Sequence, residues 1–257
     1  MVSAASLSTL PFRASDWALI ATAPIIGSFL GVLITRLPER APVAWARSRC
    51  DFCETELAVR DLIPFASWLL ARGRCRHCGR SLGWFYPAVE LAALIVVAAS
   101  LAVDRGAEAW LDALLGWSLL TLGWIDVRSW RLPDILTLPL IVLGFATAWL
   151  FAPDELIDRV AGSVAGYVCL WLVAYSYRWL RGREGLGLGD AKLLAAAGAW
   201  VGASGLPSVV AGAALAALVM AGGLMLTGVR FKRTSALPFG PFLALATWLV
   251  WLFGPIA

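Results

Sequence analysis

Apolar residues run in long blocks along this chain, and polar residues fall in short clusters between them. Eight windows stand out, at 17–37, 86–103, 109–126, 134–152, 160–180, 190–203, 206–229 and 239–256, each bounded by charge or by Gly/Pro clusters. Stretches such as ALIVVAAS at 93–100 show no alternation of polar and apolar positions, so the pattern does not fit a membrane β-barrel. As a helix, about 20 apolar residues cross the ~30 Å of bilayer hydrocarbon. The windows therefore predict an all-α polytopic membrane protein with about eight transmembrane helices. The sixth window is short and rich in Ala and Gly, which predicts a tilted, partly buried or re-entrant piece.

Composition agrees: 60% of the 257 residues are hydrophobic and only 15% charged, with a mean hydropathy of +0.79, outside the range of soluble domains. Only Arg13 precedes the first window, and no small-residue cleavage site follows it, so the first helix is expected to stay as an anchor. Basic residues are sharply partitioned. Nine arginines lie at 36–80, Arg128 and Arg131 follow the third window, Arg178, Arg181, Arg183 and Lys192 flank the start of the sixth, and three basic residues lie at 230–233. With eight alternating spans these 18 of the 21 Lys and Arg share one side, leaving Arg13, Arg105 and Arg159 on the other. The positive-inside rule makes the rich side cytoplasmic and both termini periplasmic. Topology thus accounts for the net charge of +4, and nucleic-acid binding is not expected.

The chain divides into an N-terminal segment with the first helix (1–37), a polar cytoplasmic loop (38–84) and a membrane domain (85–257) of about seven spans. The loop carries CDFC at 50–53 and CRHC at 75–78, two CxxC pairs 21 residues apart. That spacing suits a structural zinc site in which Cys50, Cys53, Cys75 and Cys78 close a tetrahedron and leave no open position for catalysis. Two disulfides are the alternative, disfavoured in a reducing cytoplasm. His77 is a conceivable substitute ligand. The apolar DLIPFASWLLARG at 61–73 is too short to span, and is expected against the membrane interface or in the core of the small domain. Cys169 is read as a small packing residue.

Ionisable residues in membrane helices are costly and mark function. Asp126 ends the third window, Asp190 begins the sixth within LGLGDAK (186–192), and Glu90 begins the second. Topology sets Asp126 and Asp190 at one depth although 64 positions separate them. Two neighbouring carboxyls can share a proton, one activating water and the other donating to a carbonyl, which is aspartic-protease chemistry. Glycines at 185, 187 and 189 would let a substrate backbone approach Asp190. The alternative makes Asp190 a helix N-cap and Asp126 an interfacial charge paired with Arg128. Lys192, about 200° around the helix from Asp190, is expected to meet lipid phosphate or another carboxylate. The single histidine excludes an HExxH site and leaves a His-dependent triad only arrangements built around His77, and no GxxxxGK phosphate loop occurs.

In GSFLGVLITRLP (27–38), the two CxxC pairs with DLIPFASWLLARGRCRHCG (61–79), YPAVEL (86–91), IDVRSWRLPD (125–134), GLGLGDAKL (185–193) and LPFGPFLA (237–244), the chain resembles the type IV prepilin peptidases. These are GxGD-type aspartic proteases of the bacterial inner membrane that also process the pseudopilins of type II secretion. The resemblance implies that Asp126 and Asp190 are the catalytic pair, with Gly187, Gly189, Lys192 and Glu90 shaping the site. It implies cleavage after a glycine between a short basic leader and a hydrophobic helix, at the cytoplasmic face. It also implies N-methylation of the new terminus with S-adenosylmethionine as donor, because the cysteine-bearing loop marks the bifunctional members. Gly31, Asp51 and Phe85 depart from the family pattern, and Glu90 carries no assigned role beyond pairing with a cytoplasmic arginine. The expected partners are prepilins or pseudopilins, membrane lipid and a possible second copy of the chain. A peptidase without methyl transfer, or a zinc-regulated transporter or scaffold, are the competing readings.

Overall fold

The computed structural model describes residues 12–43, 47–50, 52–182, 187–228 and 237–256. Asp51, Arg183, Gly185, Arg230, Lys232 and Arg233 lie outside the described residues, as does the segment before Phe12. Among the described residues the chain is helical: α1 (Ala14–Arg36), the short α2 (Ala66–Leu70), α3 (Phe85–Val103), α4 (Ala107–Ser129), α5 (Asp134–Phe151), α6 (Leu156–Arg181), α7 (Leu188–Leu226) and α8 (Gly240–Phe253). Extended pairing is limited to the isolated bridges Arg49–Glu56 and Arg74–Ser81.

Each apolar window became a helix, with one difference in how they divide. The sixth and seventh windows join in the 39-residue α7, interrupted at Gly202, whose φ of 73° and ψ of 176° are non-helical. Glycine carries no penalty in that conformation, so the chain turns there and resumes the helix. Among the described residues five helices are long and apolar enough to cross a membrane: α1, α3, α5, α6 with its preceding turn, and α7. α4 falls outside that set because Glu108, Asp112, Asp126 and three tryptophans lower its hydropathy, and α8 because it has 14 residues. α6 buries mostly small residues and exposes large ones. In α6, Gly162, Gly166 and Ala174 are buried, whereas Val164, Leu172 and Trp179 are exposed. Lipid, not water, is the solvent such a surface suits.

Two compact units divide the chain, Met1–Trp117 and Ser118–Ala257, the division falling within α4. In the first, α1 packs on α3 through a Gly27-x-x-x-Gly31 stripe. A Cβ on Gly27 would lie 2.7 Å from the Glu90 Cα, and one on Gly31 2.7 Å from the Tyr86 ring. Small residues at this spacing let two helices approach to backbone contact. Buried Asp16 fastens the other end of this unit, accepting 2.9 Å hydrogen bonds from the backbone N–H groups of Arg13 and of Gly106 in the turn before α4.

In the second unit α7 contacts α5, α6 and α8. Gly198 of α7 meets the backbone of Gly162 so closely that neither could carry a side chain. The indole of buried Trp200 donates to the Leu140 carbonyl of α5 at 2.9 Å. These contacts hold the first half of α7, before the break at Gly202, against α6 and α5.

Candidate active site and metal centre

The two CxxC segments fold into the same backbone twice, 25 positions apart. Cys50 N–H donates to the Thr55 carbonyl as Cys75 N–H donates to that of Arg80. Glu54 N–H donates to the Cys50 carbonyl and Gly79 N–H to that of Cys75, both at 2.9 Å. Leu57 N–H donates to Ser48 as Leu82 N–H donates to Gly73, each at 2.8 Å. CETEL and CGRSL, at 53–57 and 78–82, are the sequence trace of this repeat. The turn residue has positive φ in both copies, 54° at Glu54 and 71° at Gly79.

Paired face to face, the knuckles bring all four sulfurs within 4.8 Å of one another. Cys50 and Cys78 lie 3.9 Å apart and Cys53 and Cys75 4.0 Å apart. A tetrahedron with zinc–sulfur bonds of about 2.3 Å has edges near 3.8 Å, so the four thiols fit a metal ion, and their separations do not fit disulfides. His77 is not in the cluster. The Thr55 hydroxyl, aided by its backbone N–H, favours the thiolate at Cys53 and brings that thiol down to about 6. At Cys78 the Arg80 backbone N–H also favours the thiolate, but lost solvent and the neighbouring sulfurs outweigh it and push the thiol up to about 11.

The segment between the knuckles closes no core. Leu69 and Leu70 are exposed, while Trp68 packs against Trp84 with ring centres 4.2 Å apart and planes tilted by 50°, and donates its N–H to the Gly83 carbonyl. Cys169 is exposed on α6 rather than packed.

Asp126 is three residues from the end of α4 and 7% exposed. Its Oδ2 accepts a hydrogen bond from the Gly240 N–H, at the first residue of α8. That N–H is one of the free donors at a helix start, which favour a negative group. A Cβ on Gly240 would lie 2.7 Å from the same oxygen, so only glycine admits Asp126 here.

Asp190 stands at the third residue of α7, where its N–H donates to the Gly187 carbonyl at 3.1 Å. The N-cap is Gly187, with no side-chain cap, so Asp190 is not the capping residue. The Asp126 and Asp190 carboxyls are near enough to interact electrostatically. Gly189 packs on Leu132, to which a Cβ would come within 3.0 Å, and Gly187 leaves the approach to the Asp190 carboxylate open. Lys192 turns away and pairs with Asp134 at 2.6 Å, tying the first turns of α7 and α5 together. Gly240 lies in LPFGPFLA, but nothing local in the sequence joins that glycine to an aspartate 114 positions earlier, and only the fold shows the contact.

Glu90, in the first unit, is buried and, among the described residues, is held by groups other than an arginine. Its Oε2 accepts from the Phe65 N–H at 2.9 Å, and the Ser28 hydroxyl of α1 bonds to the same carboxylate.

The chain is thus a polytopic helical protein that combines four thiols able to hold one metal ion with two interacting carboxyls at helix ends. Two family models match the chain: the bacterial peptidase A24 N-terminal domain over residues 21–103, and the type IV leader peptidase family over residues 113–222. A prepilin leader peptidase/N-methyltransferase of Aeromonas hydrophila is 38% identical over 255 residues, covering 90% of this chain and 88% of that protein. Enzymes of the same description from Dickeya chrysanthemi (40% over 259 residues, 89% of each chain) and Pectobacterium carotovorum subsp. carotovorum (39% over 244 residues, 86% of this chain and 87% of the relative) match similarly. The chain belongs to the type IV leader peptidase family and is an enzyme. No solved structure matches it significantly.

Proposed function

We propose that this enzyme removes the leader peptide from type IV prepilins and pseudopilins after a glycine, with Asp126 and Asp190 as the catalytic pair. It then methylates the exposed amine. The observation that carries the peptidase half is that two carboxyls, from α4 and α7, lie within electrostatic reach of each other, one of them held by the Gly240 N–H.

One carboxylate takes a proton from water as the water oxygen adds to the scissile carbonyl carbon. The other, protonated, gives its proton to the carbonyl oxygen. The resulting diol collapses as one of its hydroxyls returns a proton to the second carboxylate, the C–N bond breaks, and the leaving nitrogen takes a proton from the first carboxyl. The Gly240 N–H holds Asp126 in place through these transfers. Gly187 leaves room for the substrate backbone beside Asp190. The basic segments around both aspartates support a site at the cytoplasmic face, because positive charge is retained on that side of a membrane and attracts anionic headgroups.

Cys50, Cys53, Cys75 and Cys78 would hold zinc, which closes the two knuckles and contributes folding free energy to a loop with no core of its own. S-adenosylmethionine supplies the methyl group. Purified protein carrying Asp126→Asn or Asp190→Asn should cleave prepilin at least about a thousandfold more slowly than the parent, since either change removes one proton carrier. Cleavage at the parent rate by either variant would sink the dyad. Mass spectrometry of the mature pilin, looking for an added methyl group, tests the second half.

A further inference from the structure

Where the knuckles meet the α1–α3 pair, all within the first unit, they enclose a cavity of about 650 Å³, within the ~300–1,000 Å³ range of small-molecule sites. None of the cleavage chemistry uses it. Phe29, Trp68 and Tyr86 are among its lining residues; the knuckles and the segment between them bring Arg74, His77 and the ion-paired Arg76 and Asp61; and buried Glu90 also lines it. Glu90 is fixed there by the Phe65 N–H and the Ser28 hydroxyl. Both α1–α3 close contacts, Gly27 on Glu90 and Gly31 on Tyr86, fall at lining residues, so the helix packing sets the cavity's shape.

A carboxylate buried among aromatic faces selects a cationic, partly apolar ligand, because rings and carboxylate both attract positive charge. A basic and imidazole-bearing side selects a carboxylate. One molecule bearing a sulfonium, a flat heteroaromatic ring and a terminal carboxylate meets all of these at this volume. The residues present therefore fit the methyl donor.

We propose that this cavity binds S-adenosylmethionine, with the sulfonium facing Glu90 and the aromatic residues, and the carboxylate facing Arg74 and His77. The inference rests on the methyl-transfer half of the function proposed above. Glu90 acts here as a binding residue that discriminates charge. Filling the cavity excludes the ligand whatever its charge.

The test is equilibrium binding of radiolabelled S-adenosylmethionine to the full-length zinc-loaded protein in detergent, in competition with S-adenosylhomocysteine, whose sulfur is neutral. Wild type should prefer the cationic form. Glu90→Gln keeps an acceptor for the Phe65 N–H but removes the charge. It should weaken S-adenosylmethionine binding about tenfold while leaving S-adenosylhomocysteine within about twofold, so that the preference disappears. Ala71→Phe, which puts a ring at a lining position, should weaken both about tenfold or more. It carries the test should Glu90→Gln lose its zinc. Affinities for S-adenosylmethionine equal to wild type in both zinc-loaded variants would overturn the location while leaving methyl transfer intact. A wild type that binds neither compound and releases unmethylated pilin would overturn the methyl-transfer reading, and this inference with it.

Discussion

Asp126, near the end of α4, accepts a 3.0 Å hydrogen bond from the backbone N–H of Gly240, 114 positions later at the start of α8. The contact leaves no space for a Cβ, which would fall 2.7 Å from the carboxylate oxygen. Gly240→Ala should therefore displace Asp126 and cut the rate of prepilin cleavage about a hundredfold, the scale of a misplacement near 1 Å. Steady-state kinetics on a purified prepilin checks this, with thermal unfolding to show that the helices remain packed.

Lys192 and Asp134 form a 2.6 Å pair, but both side chains are substantially open to solvent. Such pairs contribute ~0–1 kcal/mol. A double-mutant cycle with Lys192→Met and Asp134→Asn should give a coupling below about 1 kcal/mol in thermal unfolding, and cleavage should fall far less than in the Asp190→Asn protein. Loss of activity on the scale of Asp190→Asn would place Lys192 in the chemistry instead.

Zinc should bind the four thiols with release of protons, because the metal takes thiolates. Cys53, held down to about 6, is already largely a thiolate at pH 7.5; Cys78, pushed up to about 11, is not and must give up its proton on binding. Protons compete with the metal, so apparent affinity falls as pH is lowered and falls more steeply once Cys53 also protonates below about 6. Titration calorimetry in two buffers of different ionisation enthalpy counts the released protons. Stripping the metal with a chelator should expose residues 47–84 to protease before the membrane helices are cut.

Glu54 occupies the left-handed turn position that Gly79 fills in the second knuckle. A side chain there costs ~1–2 kcal/mol of local strain, part of which glycine's freer unfolded chain gives back. Glu54→Gly should raise the loop's stability by up to about 1 kcal/mol, and Gly79→Ala should lower it by a similar amount. Resistance to chelator at fixed zinc concentration ranks the three proteins.

The helices were legible because lipid imposes a one-dimensional code: a run of about 20 apolar residues has few other uses. The break at Gly202 was displaced from the expected boundary because composition does not mark which glycine in a Gly/Ala-rich run adopts a non-helical φ. Cysteine spacing pointed to the metal centre, and the internal copy of the knuckle was present but unremarked in two five-residue stretches. Glu90 resisted assignment, since its recorded partners are a backbone N–H and a serine hydroxyl, groups that leave no charge pattern in the chain.

By itself the sequence determined the membrane class, the four-thiolate site and the two aspartates as candidates, because hydropathy, metal-ligand spacing and the cost of a charge in lipid are properties of residue type and local order. Only the tertiary structure decided that Asp126 is gripped by Gly240, that Lys192 serves Asp134, and that Gly27 and Gly31 of α1 press on Glu90 and Tyr86 at the edge of a cavity. Those relations join residues from different helices, and which helices touch depends on side-chain volume and backbone approach, which no stretch of the chain carries alone.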